Sequence, residues 1–277
     1  MIYTEAYFKI SPLQPAMEIL IAELGDLGFE SFVEEEDGLK AYIQGDDFNK
    51  EVLNTLFVMQ NPEFSISYDI KTIADENWNA KWESDYESVL IDNRCYIRAP
   101  FHPSKPEIEF EILIEPKMSF GTAHHETTSQ MIQLLMVEEV SHKSVLDMGC
   151  GTAVLAVLAK LKKADRVVAI DNDEWAYNNA LENVKVNGFS DILVQQGDAS
   201  LLPGQTFDLI LANINKNILL ADMKSYSEAL LKDGAILFSG FYEDDLNDIK
   251  ARALEFDLSY DTHLVKNNWV AAKFIKK

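Results

Sequence analysis

Ser144-Val-Leu-Asp-Met-Gly-Cys-Gly-Thr-Ala153 is the stretch on which the reading of the whole chain turns. Val145 and Leu146 open it as a short apolar run of the kind a buried parallel strand requires. Gly149 and Gly151 then allow a tight turn, and Val154-Leu-Ala-Val-Leu-Ala-Lys160 resumes with helical periodicity. Strand, glycine loop and helix in that order make a nucleotide-type pocket, because the loop and the helix N-terminus offer free backbone N–H groups. A dinucleotide fingerprint has a further glycine where Val154 stands, and Asp147 places a carboxylate directly before the first glycine, where it repels a pyrophosphate. The same charge attracts a ligand that carries an ammonium and a sulfonium, which points to S-adenosylmethionine rather than a nicotinamide dinucleotide. Arg166-Val-Val-Ala-Ile-Asp171 adds support: it is an apolar strand ending in an acid 22 residues after Gly149, where carboxylate oxygens accept both ribose hydroxyls.

Beyond this pair the pattern alternates. Strands are expected at 167–171, 192–196, 207–211 and 235–238, with helices over 175–187, 219–231 and 244–256 between or after them. Such alternation predicts an α/β, doubly wound, mostly parallel sheet with ligands at the C-terminal strand ends. Two further strand-like runs, 258–265 and 269–275, follow each other without a helix and are expected to close the sheet as an antiparallel pair. Two strand ends carry polar residues suited to a ligand. Asp198 follows the third strand, where it serves equally well as an acceptor for adenine amino hydrogens or as a plain turn residue. Asn213 ends the fourth and offers a neutral amide acceptor to an amine nucleophile, although a lone Asn is more often a helix cap.

Upstream, residues 4–10 alternate as a strand, 15–27 are spaced as a helix, and 29–35 and 39–43 flank Asp37-Gly38 as a hairpin. A second helix near 48–58 and a strand at 64–70 complete a βαββαβ order, the ferredoxin-like α+β pattern. Residues 1–66 are therefore read as a small recognition domain, 67–115 as a linker with some strand, and 116–277 as the catalytic domain. Trp78 and Trp82, at i and i+4 in the linker, are expected to anchor it by packing. Thr127 or Thr128 is expected to cap or open a helix running to about residue 140. Adjacent His124 and His125 project differently and lack the ligand spacing a metal needs, so no metal is expected.

The formal net charge of −22 disfavours direct contact with nucleic-acid phosphates and suits either solubility or a basic protein partner. No apolar run has membrane-spanning length, Met1-Ile-Tyr-Thr-Glu-Ala6 lacks the basic start of a leader, and two cysteines make no disulfide framework. A cytoplasmic monomer is expected.

Taken together, these motifs resemble the class I S-adenosylmethionine-dependent methyltransferases, and more closely the ribosomal protein L11 methyltransferases. That family's Phe-Gly-Thr-Gly-x-His-x-Thr-Thr is similar to Phe120-Gly-Thr-Ala-His-His-Glu-Thr-Thr128, its Asp-x-Gly-Cys-Gly-[Ser/Thr]-Gly to Asp147–Ala153, and its Ala-Asn-Ile to Ala212–Ile214. Its Glu-Trp-Val-like ending is echoed at Asn268-Trp269-Val270. The resemblance spans essentially the whole chain and implies methylation of lysine ε-amines and an N-terminal α-amine of a basic ribosomal protein. It implies Thr128, Gly149, Asp171 and Asn213 as cofactor contacts, with Asn213 also the catalytic residue; Asp147, Gly151, Phe120, Thr122 and Asp198 complete the expected binding set. Ala123 and Ala153 stand where the family has loop glycines, and Ala153 is expected to narrow the approach to the methionine moiety. Two other readings compete: a methyltransferase of another protein or small molecule, and a non-catalytic protein-binding module on the same fold.

Overall fold

The computed structural model describes residues 3–73, 86–115, 117 and 120–277, so the Trp78 and Trp82 pair lies outside the described residues. The chain forms two compact units, Met1–Tyr86 and Glu87–Lys277.

The first unit runs β1 (Tyr3–Ser11), α1 (Ala16–Asp26), β2 (Ser31–Glu35), β3 (Gly38–Gln44), α2 (Lys50–Leu53), α3 (Phe57–Gln60) and β4 (Ser65–Ile73). Its strands pair antiparallel in the order β2-β3-β1-β4. Period-two alternation sends Ala6, Phe8, Ile10, Leu39, Ala41 and Ile43 into a core with Met17, Leu20 and Leu24 of α1. The opposite face carries tyrosines on carboxylates: Tyr42 donates to Glu5 at 2.9 Å, Tyr3 to Glu30 at 3.1 Å, and Tyr7 to Asp37. The single helix expected near 48–58 is instead two short ones. Leu56 adopts an extended conformation between them, and the Glu23 carboxylate from α1 accepts the N–H groups of Phe57 and Val58 at 2.8 and 3.0 Å. A distant acid thus caps α3 and fixes the break, which no local pattern announces.

The second unit opens with a small sheet of β5 (Val89–Ile91), β6 (Cys95–Arg98) and β7 (Phe110–Leu113). Ile97, Ile112 and Ile114 enter the large core, and Arg98 pairs with Glu111. Residues 87–115 therefore pack with the larger unit, and the boundary expected at 66 falls inside β4.

The remaining elements are α4 (Glu126–Val137), β8 (Ser144–Met148), α5 (Val154–Leu161), β9 (Arg166–Asp171), α6 (Glu174–Val186), β10 (Ile192–Gln196), β11 (Phe207–Asn213), α7 (Lys216–Ala229), β12 (Leu230–Tyr242), α8 (Leu246–Leu254), β13 (Leu258–Lys266) and β14 (Trp269–Lys276). The sheet order is β10-β9-β8-β11-β12-β14-β13, parallel except for β14, which runs antiparallel to both its neighbours. Val145, Val167 and Leu209 face a core built with α4, α5 and α6, while Leu146, Val168 and Ile210 face one built with α7 and α8. Burial on both faces explains why these strands read as continuous apolar runs.

Candidate active site

From β8 the chain passes to β9 on one side, whereas β11 pairs on the other side, so the topological switch point lies between β8 and β11. Open α/β sheets bind ligands there. Met148 pairs with Ile170 and with Ala212, so the next residues of the three strands, Gly149, Asp171 and Asn213, emerge side by side. Counting by two from Val145, Val167 and Leu209 puts Asp147, Asp171 and Asn213 on the face covered by α4, α5 and α6. A cleft of about 370 Å³ opens at this place, lined by Phe120, Gly149, Gly151, Asp171, Asn172, Asp173, Ala176, Asn213 and Ile214.

Asp171 organises the loop as well as facing the cleft. Its Oδ2 accepts the Gly151 N–H at 2.8 Å and its Oδ1 the Asp173 N–H at 3.0 Å. Each oxygen retains a lone pair for a ligand hydroxyl. Phe120, 51% exposed, closes the opposite wall: its carbonyl accepts Thr152 N–H at 2.9 Å, and the Gly121 carbonyl accepts the Thr152 hydroxyl at 2.7 Å. Gly151 makes this approach feasible. Its φ is +53°, and a Cβ there would stand 2.2 Å from the Phe120 carbonyl oxygen. Gly151→Ala is therefore expected to push the Phe120 segment away, on top of a left-handed penalty of about 1 kcal/mol, and to weaken S-adenosylmethionine binding at least ~10-fold. Calorimetry checks this, and an unchanged dissociation constant removes the Phe120 wall from the donor site.

Asp147 does not play its expected part. It is 1% exposed, does not line the cleft, and gives its Oδ2 to the Ala156 N–H at 3.0 Å in the first turn of α5. Burial pushes its carboxyl up to about 8, against the Ala156 hydrogen bond, with the Asp171 charge adding to the rise. Near neutrality burial therefore favours its protonated form, which lacks the full negative charge expected before the first glycine. An unfolded chain ionises this group near 3.9, so between about pH 4 and 8 the native state binds more protons than the unfolded state. Its contribution is complete below about pH 4 and is lost as pH rises through about 8. Asp147→Asn keeps a neutral acceptor and is expected to flatten that loss. Urea unfolding at about pH 5 and pH 8 reads it, and a stability difference from wild type that is the same at both would refute it.

The other expected residues divide. Asn213 lines the cleft; its Nδ2 donates to Thr128 Oγ1 at 3.3 Å, and its Oδ1 is buried without a hydrogen-bond partner. Thr128 is buried in the first turn of α4 and reaches the site through Asn213. The cap of α4 is neither threonine but His125, whose Nδ1 accepts Thr127 N–H at 3.2 Å. Thr122 bonds His124 Nδ1 at 3.1 Å and does not line the cleft. Asp198 caps the short turn Ala199–Leu201 by accepting Ser200 N–H at 2.9 Å, the turn-residue reading, and lies off the cleft. Ala123 and Ala153 both adopt left-handed backbone, at φ 67° and 62°. Their methyls pack in the core at 2% and 0% exposure, so Ala153 does not narrow the ligand's approach.

Sequence reasoning missed Asn172, Asp173, Ala176 and Ile214 as lining residues, and it missed a row of rings that begins at Phe120. His125 stands 5.3 Å from Phe120, Trp269 is 4.8 Å from His125, and Tyr242 is 4.1 Å from Trp269. These residues come from three separate segments, 120–125, 242 and 269, and only the phrase from Phe120 to His125 and the Trp269 of the Asn-Trp-Val ending hinted at the row. Among the described residues no cluster of metal-ligating side chains occurs, and no helix is long and apolar enough to cross a membrane.

A switch-point cleft with a glycine loop, an acid closing the second strand and an antiparallel strand inserted near one sheet edge define a class I S-adenosylmethionine-dependent methyltransferase. A family profile described as Ribosomal protein L11 methyltransferase (PrmA) matches residues 19–277. A relative of that name in Bacteroides fragilis is 46% identical over 277 residues, covering 99% of each chain. One in Phocaeicola vulgatus is 44% identical, again covering 99% of each chain. The crystal structure of a ribosomal protein L11 methylase from Lactobacillus delbrueckii subsp. bulgaricus superposes with a TM-score of 0.64 at 27% identity, covering 69% of this chain and all of that one. The chain belongs to the ribosomal protein L11 methyltransferase family.

Proposed function

We propose that this chain transfers methyl groups from S-adenosylmethionine to lysine ε-amino groups, an N-terminal α-amino group, or both, on ribosomal protein L11. The observation that carries this reading is the unpartnered Asn213 Oδ1, buried at the cleft beside the glycine loop and oriented by Thr128. When bound, S-adenosylmethionine supplies an electrophilic methyl group on a good leaving group, so the protein's work is alignment and desolvation. Gly149, Gly151 and Asp171 are the residues that hold the donor, with Phe120 and Ile214 as walls.

An attacking amine must be neutral, and free lysine has a pKa of about 10.4. Phe120 at the cleft wall begins a row with His125, Trp269 and Tyr242 along which the aliphatic stem of an incoming lysine can pack. Asn213 Oδ1 then accepts one N–H of the neutral amine and turns its lone pair toward the methyl carbon. An uncharged acceptor suits this task, because a carboxylate would hold the amine protonated.

The first unit recognises the substrate. Its sheet face without helices is rich in tyrosine and carboxylate, and Glu34, Glu35, Glu36 and Asp37 gather at the β2–β3 hairpin. A basic protein complements such a surface, whereas nucleic acid and anionic membrane do not. The protein acts as a cytoplasmic monomer on this reading. Incubation with labelled donor and purified L11 tests the assignment. Mass increments of whole methyl groups on L11 are expected, and label absent from L11 while wild-type protein binds the donor would overturn the substrate.

A further inference from the structure

Asn179, Asn183 and Asn187 recur at i, i+4 and i+8 along α6 and its C-cap, inside a stripe that also contains buried Ala180 and Val184. None lines the cleft. Their amides face the backbone that continues from β7. Asn187 Oδ1 accepts Leu113 N–H at 2.9 Å and its Nδ2 donates to the Leu113 carbonyl at 2.7 Å. Asn183 Oδ1 accepts Glu115 N–H at 2.8 Å. Asn179 Nδ2 reaches the Glu115 carbonyl at 3.5 Å. Four helical residues rise about 6.0 Å and two extended residues about 6.7 Å. The side chains at i and i+4 therefore meet backbone groups two residues apart, as a neighbouring strand would.

Asn183 differs from its fellows. It is fully buried, and its Nδ2 donates at 3.0 Å to the carbonyl of Thr152, a residue of the glycine loop. Thr152 in turn holds Phe120 and Gly121 through its N–H and hydroxyl. One amide thus ties the segment leading from β7, the glycine loop and the Phe120 wall of the cleft into a single hydrogen-bonded unit. Asn187 anchors the same segment but touches none of the loop.

We infer that Asn183 is a positioning residue for the methyl donor, setting the height of the glycine loop and of the Phe120 wall, whereas Asn187 serves only the fold. The inference rests on the assignment of this cleft to S-adenosylmethionine. Asn183→Ala leaves the Thr152 carbonyl without its donor and frees the loop to shift. Asn183→Asp retains the acceptor for Glu115 N–H and turns a carboxylate toward the Thr152 carbonyl. Asn187→Ala is the comparison, since it breaks the anchor at Leu113 and nothing at the loop. Calorimetric dissociation constants for S-adenosylmethionine and thermal midpoints are measured for all three. Both Asn183 variants are expected to bind the donor about tenfold more weakly. Asn187→Ala is expected to bind it within about twofold of wild type despite a comparable fall in midpoint. If Asn183→Ala does not fold, Asn183→Asp decides. Wild-type affinity in the Asn183 variants that fold, or equal weakening in Asn187→Ala, overturns the inference. A wild-type chain that binds no donor defeats the cofactor assignment instead, a separate result.

Discussion

Residues 87–277, expressed without the first unit, are expected to bind S-adenosylmethionine within about threefold of the full chain and to methylate full-length L11 with kcat/KM lowered at least ~100-fold. Retained binding is expected because the two hydrophobic clusters of the larger unit draw only on residues beyond 87, and every residue lining the cleft lies there. The core of the first unit is equally self-contained, drawing on residues between 6 and 70. Among the described residues, cutting at Tyr86 and Glu87 therefore severs no core, whereas a cut after residue 66 would remove most of the first unit and leave the rest of β4 without its partner strand. Lost activity follows from the size of the choice to be made. A pocket around one amine does not discriminate among the many lysines of a basic protein, so selection needs an extended docking surface, and about 3 kcal/mol from that surface accounts for the drop. Acid at the hairpin makes the encounter electrostatic, and kcat/KM of the full chain should fall as salt shortens the Debye length to about 10 Å at 0.1 M. A truncated enzyme with wild-type kcat/KM on L11 would place recognition elsewhere.

Asn213→Ala is expected to lower kcat by roughly 10²–10³ while the donor's dissociation constant changes less than about threefold. Removing the amide deletes the one group that, among the described residues lining the cleft, both lacks a partner for its buried oxygen and is oriented by a neighbour, Thr128. The amine then loses the acceptor that aims its lone pair, a loss that shows in turnover and not in donor binding. Asn213→Asp separates geometry from charge. It keeps an acceptor in place, but a carboxylate stabilises the ammonium, so activity should return only as pH is raised. Equal falls in turnover and donor affinity for the alanine variant would make Asn213 chiefly a donor contact.

Much of this site was legible because it depends on short-range order. Gly149, Asp171 and Asn213 each stand at the end of an apolar run, and a parallel sheet with alternating helices brings such ends to one edge. The antiparallel last strands followed from two strand-like runs with no helix between them. Less was legible where a residue's role depends on a partner far along the chain. Asp147 sits in the motif beside the glycines, yet its depth in the sheet favours its protonated form and keeps it out of the cleft. The α4 cap fell to His125 rather than to the threonines because its ring accepts a backbone N–H while packing on Phe120 and Trp269. The linker boundaries were misplaced for a similar reason: Ile97, Ile112 and Ile114 look like isolated apolar residues until the large core receives them.

By itself the sequence determined the order of strands and helices, the glycine loop, the acid that closes the second strand, the acidic surface and the kinship with one methyltransferase family. Those properties live in periodicity and in short motifs, which local steric and hydrophobic rules write directly into the chain. Tertiary structure alone decided which motif residues reach the cleft, that burial raises the Asp147 carboxyl, and which asparagine of three holds the glycine loop. Protonation and hydrogen-bond partnership depend on burial and on neighbours 31 to 85 residues away, as with Asn183 on Thr152 and Asn213 on Thr128, and those distances exist only once the sheet has assembled.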